Sequence, residues 1–128
     1  MPKTAVVPQA SAVVAGVPLS PGVRKGNILQ VSGQIAIDPA TGETVGGTVA
    51  EQTRQAMRNV VAVLEAGGAT MDDVVMLRVY LTDTAHFAEM NAAYAEFLTE
   101  PMPARTTVYV GLPPGKLVEI DAMAVLDG

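Results

Sequence analysis

One arginine and one pair of carboxylates stand in this sequence where small-molecule chemistry could be done. Arg105 follows Pro103-Ala104, where a stiff loop enters a strand. A guanidinium presents a planar fork of donors that fits a carboxylate in bidentate fashion and keeps its charge at any working pH. The plainer reading is a surface arginine in an ordinary ion pair. Glu119 and Asp121 lie in the apolar run Leu117-Val118-Glu119-Ile120-Asp121-Ala122. Strand residues i and i+2 share a face, about 7 Å apart. Burial would raise a carboxyl pKa and suit it to proton transfer, whereas a pair at the sheet end would simply reach solvent. Asn91 lies between Met90 and Tyr94 on an apolar helical stripe. A buried amide there needs partners, and a loop backbone is the expected one, with ligand contact as the alternative.

Other chemistries lack their parts. The chain has no Cys and a single His, His86, so disulfides, thiolate nucleophiles and ordinary zinc sites are excluded. His86 is expected to be exposed in the first turn of a helix, and no nucleophile-elbow sequence accompanies it. Gly42, Gly46 and Gly47 lack the lysine and the spacing of a phosphate loop. No metal and no cofactor are therefore expected. A formal net charge of −5, with the basic residues scattered singly, disfavours nucleic acid. No apolar run is long enough to span a bilayer, and Pro8 breaks the run near the start, so no membrane partner and a cytoplasmic location are expected.

The elements that must position these residues follow from patterning. The 128 residues fit one domain, 49% apolar and rich in Ala and Val. Residues 1–16 form a loose or extended lead-in, and Ser20-Pro21-Gly22 signals a turn. A strand is expected over 28–37, with Ser32-Gly33 inside it as a bulge or a close approach. Thr48-Val49-Ala50-Glu51 reads as a capping box. It opens a helix whose stripe is Val49, Thr53, Ala56, Met57, Val60, Val61 and Leu64, and which Gly67-Gly68 closes. Residues 74–81 alternate as a strand, with Val75, Leu77, Val79 and Leu81 on one face. A second helix starts at Asp83-Thr84. Strands over 106–110 and 117–126 complete the chain. The reading is α+β, one sheet of about five strands with both helices on one face. Much of the other face is apolar too, and no helix is left to cover it. A second copy of the chain is the expected cover.

Val31-Ser32-Gly33-Gln34-Ile35, Asp38-Pro39-Ala40-Thr41-Gly42, Phe87 to Tyr94, Pro103-Ala104-Arg105-Thr106-Thr107-Val108 and Val118 to Val125 together resemble the Rid (YjgF) family of imine/enamine deaminases. The resemblance implies a chorismate-mutase-like fold and a homotrimer around a central barrel, with sites between subunits. It implies hydrolysis of 2-aminoacrylate-type enamines, through their imine tautomers, to 2-keto acids and ammonia, with no cofactor. By resemblance, Arg105 grips the substrate carboxylate and Glu119 positions or activates water. The backbone carbonyl of Thr107 (a position often occupied by Cys) helps hold that water. Ser32 and Gly33 line the pocket, and Asn91 is structural. The family's Gly-Pro-Tyr segment is aligned with Ser20-Pro21-Gly22, which leaves Tyr109 or Tyr80 to supply an aromatic wall. The loop over 99–103 looks short, which implies a wider pocket. A non-catalytic binder of small keto acids is the alternative function. Ribonuclease activity is disfavoured by the acidic charge and the scarce aromatics.

Overall fold

The computed structural model describes residues 1–11 and 16–127. Six strands and two helices follow in the order β1 (Thr4–Val6), β2 (Gly22–Lys25), β3 (Ile28–Ile35), α1 (Val49–Ala66), β4 (Val74–Leu81), α2 (Phe87–Ala95), β5 (Ala104–Tyr109) and β6 (Val118–Val125). They build one mixed sheet in the order β1-β2-β3-β6-β4-β5. Among the described residues only β4 and β5 pair in parallel, and α2 makes that crossover. β3 and β4 both run antiparallel to β6, which lies between them, so α1 joins two strands of the same direction across an inserted third.

Two of these strands lie in segments expected to be a lead-in and a turn. Thr4–Val6 is extended, but it is an edge strand paired to β2. Gly22 opens β2, and β2 turns into β3 through Gly26-Asn27, with Gly26 at φ 60°. That is a two-residue hairpin, for which positive φ at the first turn position favours glycine.

Helix α1 starts at Thr48, whose hydroxyl accepts from the Glu51 N–H at 3.2 Å. The reciprocal half of the expected box differs: the Glu51 carboxylate accepts from the Thr48 hydroxyl, not from its backbone. A carboxylate of α2 contributes instead, since Glu89 accepts from the Ala50 N–H at 3.0 Å. Gly68 at φ 83° ends the helix, and Ala69 N–H donates to the Leu64 carbonyl. The buried stripe contains Val63, while Val61 is half-exposed. Gln52 is buried as well; it donates to the carbonyls of Gly46 and Gly115 and accepts from Leu117 N–H, tying the β3–α1 and β5–β6 loops to the helix.

The core lies between the helices and the facing sheet residues Leu29, Val31, Leu77, Val79, Leu81, Val118, Ile120, Ala122 and Ala124. Val74, not Val75, joins it. The β4–β6 register shifts between Val74 and Met76, and this leaves Val75 exposed. Among the described residues no helix covers the opposite sheet face, which exposes Ile28, Val108 and Val125.

Candidate functional site

Arg105 and Thr107 pair with Leu77 and Val79, both core residues, so β5 presents them toward the helices. α2 receives the guanidinium. Its carbon lies 5.0 Å from the Tyr94 ring centre and 5.6 Å from that of Phe87. One Nη donates to Asn91 Oδ1 at 2.7 Å. Asn91 therefore orients Arg105 and does not bond to a loop backbone. Two aromatic faces and one amide fix the fork, and the cation–π contacts add attraction without neutralising its charge. Among the described residues no carboxylate lies within ion-pair distance of Arg105; the ion pairs there are Arg54–Glu96 and Arg78–Asp121.

Further polar groups stand on β5, α2 and the turn before α2. The buried hydroxyls of Thr107 and Tyr94 have no hydrogen-bond partner among the described residues. Burial raises the Tyr94 phenol pKa, and the Arg105 charge partly opposes that rise. Tyr109, two residues beyond Thr107, is exposed at the strand end. His86 is half-buried, not exposed, and its Nδ1 is buried without a partner. Residues 84–86 form a separate 3-10 turn, which rolls His86 off the surface it would occupy on a continuous helix.

Glu119 belongs to the other sheet face. It pairs with Ile35 and Tyr80, between core residues Val118 and Ile120 that point to the helices. Burial raises its pKa, and the neighbouring Asp121 charge raises it further. Asp121 is itself buried and fully engaged: Arg78 Nε donates to one of its oxygens and the Tyr80 hydroxyl to the other, both at 2.9 Å. The pair read as i, i+2 thus divides its work, with Asp121 locked in a network and Glu119 left without a hydrogen-bond partner in that network.

A bulge in β3 makes room for Glu119. The β3–β6 register shifts between Val31 and Gln34, at Ser32-Gly33. Ser32 is tied down, its hydroxyl donating to the Ser20 carbonyl at 2.6 Å. A Cβ on Gly33 would lie only 2.4 Å from a Glu119 carboxylate oxygen. Gly33 is therefore required by close approach of the acid, not by positive φ. Beside it a cavity of about 430 Å³ runs from the end of β3, beyond its pairing with β2, to α1. Its walls include Val17, Leu19, Ile35, Ile37 and Ala62, with Glu119 also lining it.

One chain does not bring all the expected residues together. Ser32, Gly33 and Glu119 form one cluster. Arg105, Asn91 and Thr107 form another, on the opposite sheet face and beyond β4. Gly22 belongs to neither. A Cβ there would meet Val63 at 2.7 Å in the core, so no aromatic wall could grow from it. Pro21 of that turn, and Leu19 just before it, line the cavity instead. Phe87 and Tyr94 were readable only as an apolar stripe; that an arginine lies across them depends on how α2 packs on β5.

Comparison with known proteins agrees with this architecture. The family model described as Endoribonuclease L-PSP matches residues 9–126. A RutC family protein from Pyrococcus horikoshii is 48% identical over 108 residues, covering 84% of this chain and 86% of the relative. A conserved Rid family protein of unknown function, YyfA from Yersinia pestis, superposes with a TM-score of 0.91 at 35% identity, over 98% of this chain and 100% of its own. TdcF from E. coli, solved with bound serine, superposes with a TM-score of 0.89 at 34% identity, over 97% of this chain and 99% of its own. The α+β fold and the matches place the protein in one class of small mixed-sheet domains. The chain belongs to the Rid (YjgF) family.

Proposed function

We propose that the protein hydrolyses 2-imino acids, and their enamine tautomers, to 2-keto acids and ammonia, at a site built by two copies of the chain. The observation that carries this reading is the state of Arg105. It is oriented by Asn91 and by two aromatic faces, it is half-buried, and no carboxylate of the described chain pairs with it. A fixed and partly desolvated guanidinium favours an incoming carboxylate. The serine bound to TdcF, itself a small carboxylate ligand, supports that class.

An iminium carbon is already electrophilic, so orientation and a water beside a base are sufficient. Arg105 holds the carboxylate and thereby fixes the C=N carbon. Ionised Glu119 takes a proton from water as the oxygen–carbon bond forms. The C=N π pair goes to nitrogen, giving a carbinolamine. Protonated Glu119 returns its proton to that nitrogen; as the C–N bond breaks and the carbonyl forms, Glu119 takes the hydroxyl proton and passes it to the leaving ammonia, which departs as ammonium and leaves Glu119 ionised. The Thr107 backbone carbonyl is assigned to holding the water, with Ser32 and Gly33 shaping the side on which it attacks. Tyr109 is assigned to the substrate-facing rim.

Arg105 and Glu119 lie on opposite faces of one sheet, so this mechanism needs the Arg105 cluster of one copy to meet the Glu119 cluster of another. The uncovered face with Ile28, Val108 and Val125 exposed supports a homotrimer closed around those faces. The test mixes two inactive variants, Arg105→Ala and Glu119→Gln, after unfolding and refolding together. Mixed trimers contain some intact sites, so keto-acid release returns to a fraction of wild type. No recovery, or a monomeric mass by light scattering at micromolar concentration, overturns the shared site. A second reading has one observation behind it: a single chain already presents Arg105 without Glu119. That is a binder of small keto acids without turnover. Calorimetry with 2-oxobutyrate beside the hydrolysis assay separates the two, since binding without acceleration favours the second.

A further inference from the structure

We infer that Arg78 and Tyr80 are positioning residues of the site: together they hold the Asp121 carboxylate on the β4 side, where it cannot share the proton that Glu119 must carry. This rests on the deaminase reading above, in which Glu119 takes and returns that proton.

Glu119 and Asp121 stand at i and i+2 of β6. Such residues share a face, about 7 Å apart along the strand. Their side chains are long enough to meet, and a carboxyl beside a carboxylate shares its proton in a short bond of about 2.5–2.7 Å. A proton held in that bond is not free to move to substrate. The fold splays the two acids instead. Glu119 leans toward β3, where its Oε2, Cδ and Cγ lie 2.4, 2.8 and 3.1 Å from the place a Cβ on Gly33 would take. Asp121 is drawn the other way. Arg78 Nε donates to its Oδ1 and the Tyr80 hydroxyl to its Oδ2, each at 2.9 Å, so both oxygens are engaged from β4. The register turns these contacts into a diagonal brace. Arg78 stands opposite Asp121, whereas Tyr80 stands opposite Glu119 and reaches across to Asp121. The Asp121 side chain is 11% exposed and that of Arg78 52%. An ion pair half in water adds little energy. Its effect here is direction, fixed by two donors from one strand.

Other ionisable groups near Glu119 are few. β3 has none, and among the described residues that line the cavity Glu119 is the one ionisable side chain. β4 contributes Arg78 and Tyr80, and β6 contributes Asp121. On β5, Arg105 and Tyr109 pair with Leu77 and Leu81 of the core and so face the helices. In the proposed shared site the Arg105 of a neighbouring copy also faces Glu119, and it is unchanged in every variant below. Burial, and then the Asp121 charge, raise the Glu119 pKa. A shared proton would raise it further, because the pair would resist losing its last proton.

The experiment is an NMR titration of the intact protein, with glutamate 13C-labelled at the side-chain carboxyl and Glu119→Gln identifying the Glu119 resonance. Tyr80→Phe and Arg78→Met are each made with Asp121 and with Asp121→Asn. The Glu119 midpoint is expected to rise in both variants while Asp121 is present, and the acid limb of kcat/KM to move with it. Each unit of rise costs about tenfold in kcat/KM on that limb. Tyr80→Phe removes no charge, so its rise should vanish with Asp121→Asn. Arg78→Met also removes a cation, so its effect is read as the difference between the two backgrounds. A variant that raises the midpoint equally in both backgrounds, or not at all, overturns the inference. Thermal melting accompanies each titration, and Tyr80→Phe, which loses one hydroxyl, decides if Arg78→Met does not fold. If no imine is hydrolysed faster than in buffer, the deaminase reading fails. The NMR midpoints then decide the placement of Asp121 without it.

Discussion

Replacing Gly33 with alanine puts a methyl carbon where the Glu119 side chain now lies. The added Cβ would be 2.4 Å from Oε2, 2.8 Å from Cδ and 3.1 Å from Cγ of Glu119. Ordinary contact begins near 3.4 Å, so the carboxylate oxygen must retreat by about 1 Å. The acid is the movable partner, being the end of a flexible side chain that lines the cavity. The Gly33 backbone lies outside the positive-φ region, so alanine fits it without strain. Stability should hold or rise slightly, because glycine in a strand is worse than alanine by about 0.5–1 kcal/mol. Catalysis should not hold. A displacement of about 1 Å at a reacting group costs on the order of 100-fold, or roughly 2.7 kcal/mol of barrier. The assay pairs keto-acid release from a simple imine with a melting curve for the same preparation. In a Glu119→Gln background the same alanine should cost little, since the group it displaces no longer acts as a base. Gly33→Ala retaining near-wild-type kcat, or losing equal activity with and without Glu119, would refute the placement of the base.

The remaining predictions concern the other cluster, the pH response and the turn segment. Arg105→Lys should recover only part of the binding lost in Arg105→Ala, because an ammonium neither forks around a carboxylate nor lies flat on Tyr94 and Phe87; keto-acid titration reads this. Asn91→Ala should raise KM about tenfold with a smaller change in kcat, as expected for losing one hydrogen bond to a charged group. Glu119 must be ionised to act as a base, so kcat/KM should fall as pH drops through its raised pKa, and Asp121→Asn should move that limb to lower pH. The stability effect has the opposite sense. A carboxyl whose pKa is higher folded than unfolded is neutral in both states at low pH, and it destabilises the fold as pH rises through the folded value. Glu119→Gln should therefore melt above wild type at neutral pH and level with it near about pH 3, below the ordinary carboxyl range. Gly22→Ala should destabilise by about 1–3 kcal/mol through overpacking against Val63, while Leu19→Tyr, at a half-exposed position, should leave the melting temperature nearly unchanged.

Much of the architecture was legible because periodicity reports burial directly. The stripe of α1, Val61 apart, and the alternation Val118, Ile120, Ala122, Ala124 both face the core as read. β2 was obscured because its short Gly-Val-Arg-Lys run has one large apolar residue; Gly26-Asn27 between Val23 and Ile28 was the available hairpin signal. Val75 fell on the wrong face because alternation presumes an unbroken register, and a bulge follows Val74. At the site, the separate settings of Arg105 and Glu119 were readable, but their relation was not. Alternation fixes faces within a strand, whereas the side of the sheet that two strands share depends on their pairing. Asn91 was misjudged for the same reason, since its partner is 14 residues away on β5.

The central position of β6 has a consequence for biosynthesis. A chain made from its N-terminus presents β3 and β4 with open edges until residues 118–125 emerge to join them. Earlier segments can form the β1–β2–β3 hairpins and the β4–α2–β5 crossover, but the two blocks lack the strand that unites them. That interval exposes unpaired backbone and the Val/Leu faces of β3 and β4, the kind of surface that invites misassociation or chaperone binding. Glu119 arrives on the same strand that closes the sheet. A nascent chain therefore gains its proposed base only in the step that completes its fold, so incompletely folded protein would be catalytically silent.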